Sequence, residues 1–185
     1  MKTRLAERTL VSLCLNSPLL IRFANQNGRG SLKVMNKMIA LLQRVKEASI
    51  RIEDRVISSI NRGIIVFVGI RFDDTEVDCK YLVSKMLKLR IFEDENNKMN
   101  LSCDDIGSEI LVVSEFTLVA DTQRGNRPSF SNAADKEKAQ RMYSYFIDLL
   151  NESGLDVKEG QFAKHMQVTI VNDGPATFIL DSRMR

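Results

Sequence analysis

One histidine, His165, is all that this chain offers for imidazole chemistry. A Ser-His-Asp or Cys-His apparatus would have to run through that residue, and no Gly-x-Ser-x-Gly elbow accompanies it. Cysteine is nearly as scarce: Cys14, Cys79 and Cys103 lie far apart. Their spacing argues against a disulfide framework and a zinc site, and for a reducing compartment. No apolar run approaches the ~20 residues of a membrane-spanning helix, so a soluble protein without membrane contact is expected. The acids Glu93-Asp94-Glu95 lack the spacing of a calcium loop and read as a solvated turn. No metal and no cofactor is expected. Neither an internal repeat nor a low-complexity segment is present.

What is there suffices for one domain with a core, since the chain has 185 residues. Its formal charge of +3 is unevenly spread. Residues 1–37 carry Lys2, Arg4, Arg8, Arg22, Arg29, Lys33 and Lys37 against the lone acid Glu7, so the remainder is mildly acidic. Any nucleic-acid contact must then come from a local patch and not from a general field. The leader, with short apolar pieces broken by Pro18, is acid-poor and contains arginine and serine. That is the composition of an organelle-targeting peptide. Two other readings stay open: translation starting at Met35 or Met38, and a basic tail that touches RNA. The expected organisation is a leader over 1–37 and a domain over 38–185, cytoplasmic unless the leader directs it to an organelle.

From Met38 the pattern tightens. Ile39 to Val45, Ala48 to Ile52, Val56 to Ile60 and Gly63 to Ile70 predict four strands, the last buried on both faces. Asp73-Asp74-Thr75 predicts a cap for a helix whose apolar face is Cys79, Leu82, Val83, Met86 and Leu87. Ile110 to Val113 predicts another fully buried strand, running into Ser114-Glu115-Phe116-Thr117-Leu118. After a polar loop, Ala139, Met142, Tyr143, Phe146, Ile147 and Leu150 predict a second helix, stopped at Gly154. Val157 to Gly160, Met166 to Val171 and Ala176 to Leu180 predict closing strands, with Asn172 to Thr177 as a tight turn. The expected fold class is α+β: a mainly antiparallel, barrel-like sheet covered by two amphipathic helices.

Several groups could carry chemistry. Arg124 and Arg127, beside Gly125 and Pro128, have forks that match phosphate oxygens, and Phe130 could stack on a base; a solvated loop explains the same residues. Ser114 and Thr117 sit where an apolar strand ends, a common place for functional side chains, yet neither has a base nearby in sequence. A strand-end hydroxyl bonded to backbone explains Ser114 as well. His165 reads as a surface histidine. Gly174 and Pro175 mark an ordinary hairpin turn or a turn that presents bare backbone to a ligand.

From Met38 to about Asp181 the chain resembles the D-aminoacyl-tRNA deacylases. The resemblance is carried by Met38-Ile39-Ala40-Leu41-Leu42-Gln43-Arg44-Val45, by Arg90-Ile91-Phe92 with Lys98-Met99-Asn100-Leu101, and by Leu111 to Leu118. It continues through Ala120-Asp121-Thr122, Arg127-Pro128-Ser129-Phe130 and Asn172-Asp173-Gly174-Pro175-Ala176-Thr177-Phe178. It implies a homodimer that hydrolyses tRNA charged with a D-amino acid or glycine, with no further protein partner. It implies catalytic roles at Ser114, Phe116 and Thr117, and substrate contacts from Glu115, Arg124, Arg127, Phe130, Asn172 and Thr177. Gly174 and Pro175, joined by a cis bond, would enter the partner's pocket and exclude L residues.

Two positions depart from the family pattern. Glutamine is usual where this chain has Glu115, so an amide that donates and accepts becomes a carboxylate that only accepts. Lys164 replaces a residue that is commonly small. Alternatives are the animal-type deacylase of mischarged L-aminoacyl-tRNA, whose strand-end motif differs, and a non-catalytic RNA-binding module of the translation machinery.

Overall fold

The computed structural model describes residues 38–123 and 125–184. The leader over 1–37 and the side chain of Arg124 lie outside the described residues. Eight strands and three helices follow in order: β1 (Ile39–Ile52), β2 (Arg55–Ile60), β3 (Gly63–Gly69), α1 (Glu76–Leu87), β4 (Phe92–Glu93), β5 (Met99–Leu101), α2 (Cys103–Ile106), β6 (Glu109–Ser114), α3 (Lys136–Asn151), β7 (Val157–Glu159) and β8 (Gln167–Asp181).

The main sheet runs β2-β1-β3-β6-β7, with β8 on the other edge of β1. It is mixed and not mainly antiparallel, because β3–β6 and β6–β7 are parallel pairs. Parallel neighbours need a crossover, and the two helices expected as covers supply it: α1 lies between β3 and β6, α3 between β6 and β7. Gly63 lets the first of these pairs approach, since a Cβ there would stand 1.9 Å from the Glu109 carbonyl oxygen. The outer strands β2 and β7 come together through side chains. Ser58 Oγ donates to Glu159 O at 2.7 Å and Lys158 Nζ to Ser59 O at 3.0 Å, which nearly closes the barrel.

Two predicted divisions are absent. Ile39 to Ile52 is one strand, with register shifts on either side of Val45. The extra residues turn Lys46 and Glu47 both outward and break the alternation that reads as a strand end. Likewise β8 passes through Asn172 to Thr177 without reversing, so the expected hairpin is a single strand antiparallel to β1 on both flanks. The predicted run through Ser114 to Leu118 also stops early: β6 ends at Ser114 and Phe116–Val119 is a 3-10 turn.

Strands β3 and β6 are buried on both faces, as their unbroken apolar runs predict. Ile64, Val66, Ile110 and Val112 pack toward α1 and α3, whereas Ile65, Leu111 and Val113 fill the barrel with Val45 and Ile50. Helix α1 begins at Thr75, whose amide and hydroxyl each donate to Asp78 Oδ2 at 2.9 Å. Cys79 and Cys103 are buried, and burial pushes their thiols up to about 12 and about 11, so both stay protonated.

Candidate active site

The end of β6 turns sharply at Glu115. Its amide donates to Val68 O at 2.9 Å, tying the turn to the end of β3, and its carbonyl accepts from Leu118 N at 3.3 Å. Its carboxylate folds onto the next turn: Oε1 accepts from the Thr117 amide at 3.2 Å and also from the Thr117 hydroxyl. Sequence reading found no group to receive a proton from Thr117; the partner stands two residues away. The Thr117 amide, once engaged in this way, is no longer open to a ligand, whereas the neighbouring Phe116 precedes that bond.

Beside this turn opens a cavity of about 630 Å³, lined by Ser114, Glu115, Phe116, Lys136, Phe162 and His165 among others. Its apolar floor comes from Val68, Val113 and Met166. Phe162 is braced by Tyr143, ring centroids 5.9 Å apart, and the Tyr143 hydroxyl donates to Val112 O at 2.9 Å. Burial holds that phenol above its ordinary value. His165 is exposed, as expected, and yet sits in the lining.

The loop after the 3-10 turn is closed by paired backbone bonds, Asp121 N to Ser129 O at 2.8 Å and Ser129 N to Asp121 O at 2.9 Å. Arg127 is exposed on it. Phe130, just beyond, meets Phe116 edge to face with centroids 4.9 Å apart. Both rings are exposed, at 41% and 56%, so the pair presents an aromatic surface to solvent next to the turn. Sequence reading named both residues and did not join them.

The last group is the excursion in β8. Thr177 pairs with Gln43 and Asn172 with Val45, so Asp173, Gly174, Pro175 and Ala176 all face the single residue Arg44. The Asn172 side chain closes it: Ala176 N donates to Asn172 Oδ1 at 2.9 Å, and Asn172 Nδ2 donates to Ala176 O at 3.2 Å. Asn172 therefore shapes the chain here, and Thr177 Oγ1 accepts from Gln43 Nε2 at 3.1 Å. Gly174 has φ 148° and a Cβ would lie 2.6 Å from Ala176 N, so the position requires glycine. The Gly174–Pro175 peptide is cis, and both residues are exposed.

Beneath the excursion lies Arg44, which sequence reading quoted without a role. It is 4% exposed. Nε donates to Asp173 O at 2.9 Å, Nη1 to Ile91 O at 2.7 Å and Nη2 to Glu93 Oε1 at 3.3 Å. A charge buried so fully must be paired, and these bonds fix the start of the excursion to β4. The one sequence signal for it is an arginine at a position that alternation assigns to the interior.

The structure thus brings Ser114, Glu115 and Phe116 to the cavity and sets Thr117 and Phe130 beside them. Asn172, Gly174, Pro175 and Thr177 do not line that cavity within one chain.

The chain matches the family described as D-Tyr-tRNA(Tyr) deacylase over residues 41–181. It is 53% identical over 145 residues to a D-aminoacyl-tRNA deacylase of Thermotoga petrophila, covering 78% of this chain and 97% of that protein. Among solved structures it is similar to the c-Myc DNA unwinding element binding protein, with TM-score 0.73 and 42% identity over 77% of this chain and 97% of that one. It also shares the fold of a probable eukaryotic D-amino acid tRNA deacylase, with TM-score 0.70 and 18% identity over 78% and 98% of the two chains.

Proposed function

Because this chain belongs to the D-Tyr-tRNA(Tyr) deacylase family, we propose that it hydrolyses the ester bond of D-aminoacyl-tRNA, releasing a free D-amino acid and tRNA. The observation that carries the reading is the 53% identity to a protein of that name along nearly its whole length. The cavity at the end of β6 supports it, since it offers room for a terminal nucleoside beside strand-end polar groups.

Hydrolysis needs a positioned water, a donor for the developing oxyanion and a leaving 3′-oxygen. The Phe116 amide is the donor we assign, because the Thr117 amide already serves Glu115. Thr117 and Ser114 position the acyl group, and the ribose 2′-hydroxyl of the substrate assists departure of its neighbour. The exposed Phe116–Phe130 pair and the loop bearing Arg124 and Arg127 suit the single-stranded acceptor end, rings for bases and guanidinium forks for phosphates.

Selectivity rests on a second copy of the chain. Gly174 and Pro175, outward on their own chain and held by Arg44 and Asn172, enter the partner's cavity in a homodimer. Their backbone atoms occupy the space an L side chain needs, whereas a D residue or glycine escapes the clash. Discrimination by repulsion leaves the identity of the D side chain unread, so the substrate class is broad and extends to glycyl-tRNA.

The similarity to a protein named for DNA binding favours one other reading, a nucleic-acid-binding module without turnover. Incubating purified protein with D-tyrosyl-tRNA separates the two. Release of D-tyrosine at catalytic protein concentration is the expected result; retention of intact D-tyrosyl-tRNA in a stable complex would favour the module.

A further inference from the structure

The two oxygens of the Glu115 carboxylate differ in their surroundings. Thr117 engages Oε1 twice, through its amide and its hydroxyl, and so fixes the orientation of the group. Oε2 takes part in no hydrogen bond or ion pair among the described residues. Glu115 belongs to the lining of the 630 Å³ cavity and Thr117 does not, so the oxygen that Thr117 leaves unengaged is the one available to an occupant. Lys136, Lys164 and His165 line the same cavity, yet none of them pairs with Glu115. A half-buried carboxylate, held in place and without a cation among the described residues, favours a ligand that brings one.

The cationic group that every aminoacyl-tRNA carries at its reacting end, whatever its side chain, is the α-ammonium of the esterified residue. The tRNA phosphates are repelled by a carboxylate and suit the lysines instead. The ammonium nitrogen lies only a few bonds from the ester carbonyl, and the Phe116 amide assigned to that carbonyl oxygen adjoins Glu115 in the chain. One acyl group can therefore meet both. We infer that Glu115 is a specificity-determining residue: Oε2 receives the α-ammonium of the esterified amino acid and selects for esters whose amine is free. The inference rests on the deacylase reading and assigns this residue a role that an amide in its place would fill less strongly, since a carboxylate meets the ammonium as a full opposite charge and an amide only as a dipole.

The test compares D-tyrosyl-tRNA with the tRNA ester of the isosteric α-hydroxy acid of the same configuration, which lacks only the charge. Wild-type protein should prefer the amino ester in kcat/KM by on the order of 10- to 100-fold. In Glu115→Gln, which keeps an oxygen for the Thr117 bonds, that preference should shrink by about threefold or more, as an ion pair becomes an ion–dipole contact. Equal preference in wild type and variant, with D-tyrosyl-tRNA still hydrolysed, overturns the inference and leaves the deacylase reading standing. Failure of the wild-type protein to hydrolyse either ester overturns both. Should the variant lose turnover altogether, calorimetric binding of 3′-(D-tyrosylamino)-3′-deoxyadenosine decides: a fall in affinity of about tenfold or more relative to its hydroxy analogue supports the ammonium contact. Unchanged relative affinity refutes it.

Discussion

Asp74 shows how a single buried carboxyl couples this fold to pH. At 1% exposure it sits just before α1, with Oδ2 accepting from the Arg71 amide at 2.6 Å. Burial first, then the neighbouring charges of Asp78 and Asp73, push it up to about 6 from an ordinary value of 3.8. Between those values the folded chain holds a proton that the unfolded chain has released, so stability falls as pH rises through that window. The loss is on the order of 3 kcal/mol. Asp74→Asn, which keeps an acceptor for Arg71, should remove it: the variant gains melting temperature over wild type at pH 7.5 and not at pH 4. Calorimetry at the two pH values checks this, and an equal difference at both would refute it. Thr117→Ala separates a positioning role for this hydroxyl from nucleophilic attack. If the Phe116 amide and the substrate's 2′-hydroxyl dominate, single-turnover hydrolysis should stay within about tenfold of wild type. Complete loss, with folding and tRNA binding intact, would make Thr117 the nucleophile.

Among the elements, the excursion of β8 carries selectivity in the proposed function. Gly174→Ala must strain the chain, given φ 148° and a Cβ 2.6 Å from Ala176 N. A cost of about 1–3 kcal/mol in chemical denaturation is expected, together with a loss of discrimination against L esters. Arg44→Met leaves the carbonyls of Asp173 and Ile91 without their donor and Glu93 without its charge partner. It should cost about 2–4 kcal/mol and likewise erode selectivity more than it slows hydrolysis of the D ester. The helices and the doubly buried strands β3 and β6 were legible because their signals are local: Cys79, Leu82, Val83 and Met86 repeat at helical spacing, and Ile64 to Val68 contain no polar break. The excursion was not. A Gly-Pro pair gives the same local signal in a hairpin and in a detour, and what distinguishes them is that both flanks of β8 pair with β1, more than a hundred residues away. Arg44 was hidden for the same reason, since its partners Ile91, Glu93 and Asp173 are distant in sequence. The Glu115–Thr117 bond spans only two residues, but it depends on a 3-10 turn where the apolar pattern predicts continuing strand.

For the whole molecule, the mixed and nearly closed sheet gives a rigid frame in which the cavity and the β8 excursion are separate features of one chain. The cavity lies at the end of β6, and Gly174 and Pro175 are exposed away from its lining. A site completed only by a second copy predicts that specific activity depends on concentration. Sedimentation should show a dimer, and dilution below its dissociation constant should lower activity per chain and weaken selectivity together. A site complete within one chain would keep constant specific activity. Chiral discrimination by the partner's backbone, as proposed, is measured by the rates at which purified protein hydrolyses D-tyrosyl-tRNA and L-tyrosyl-tRNA at matched concentration. The D ester should be cleaved faster by on the order of 100-fold or more, with the L ester at its spontaneous rate; equal rates, or faster cleavage of the L ester, would rule this discrimination out.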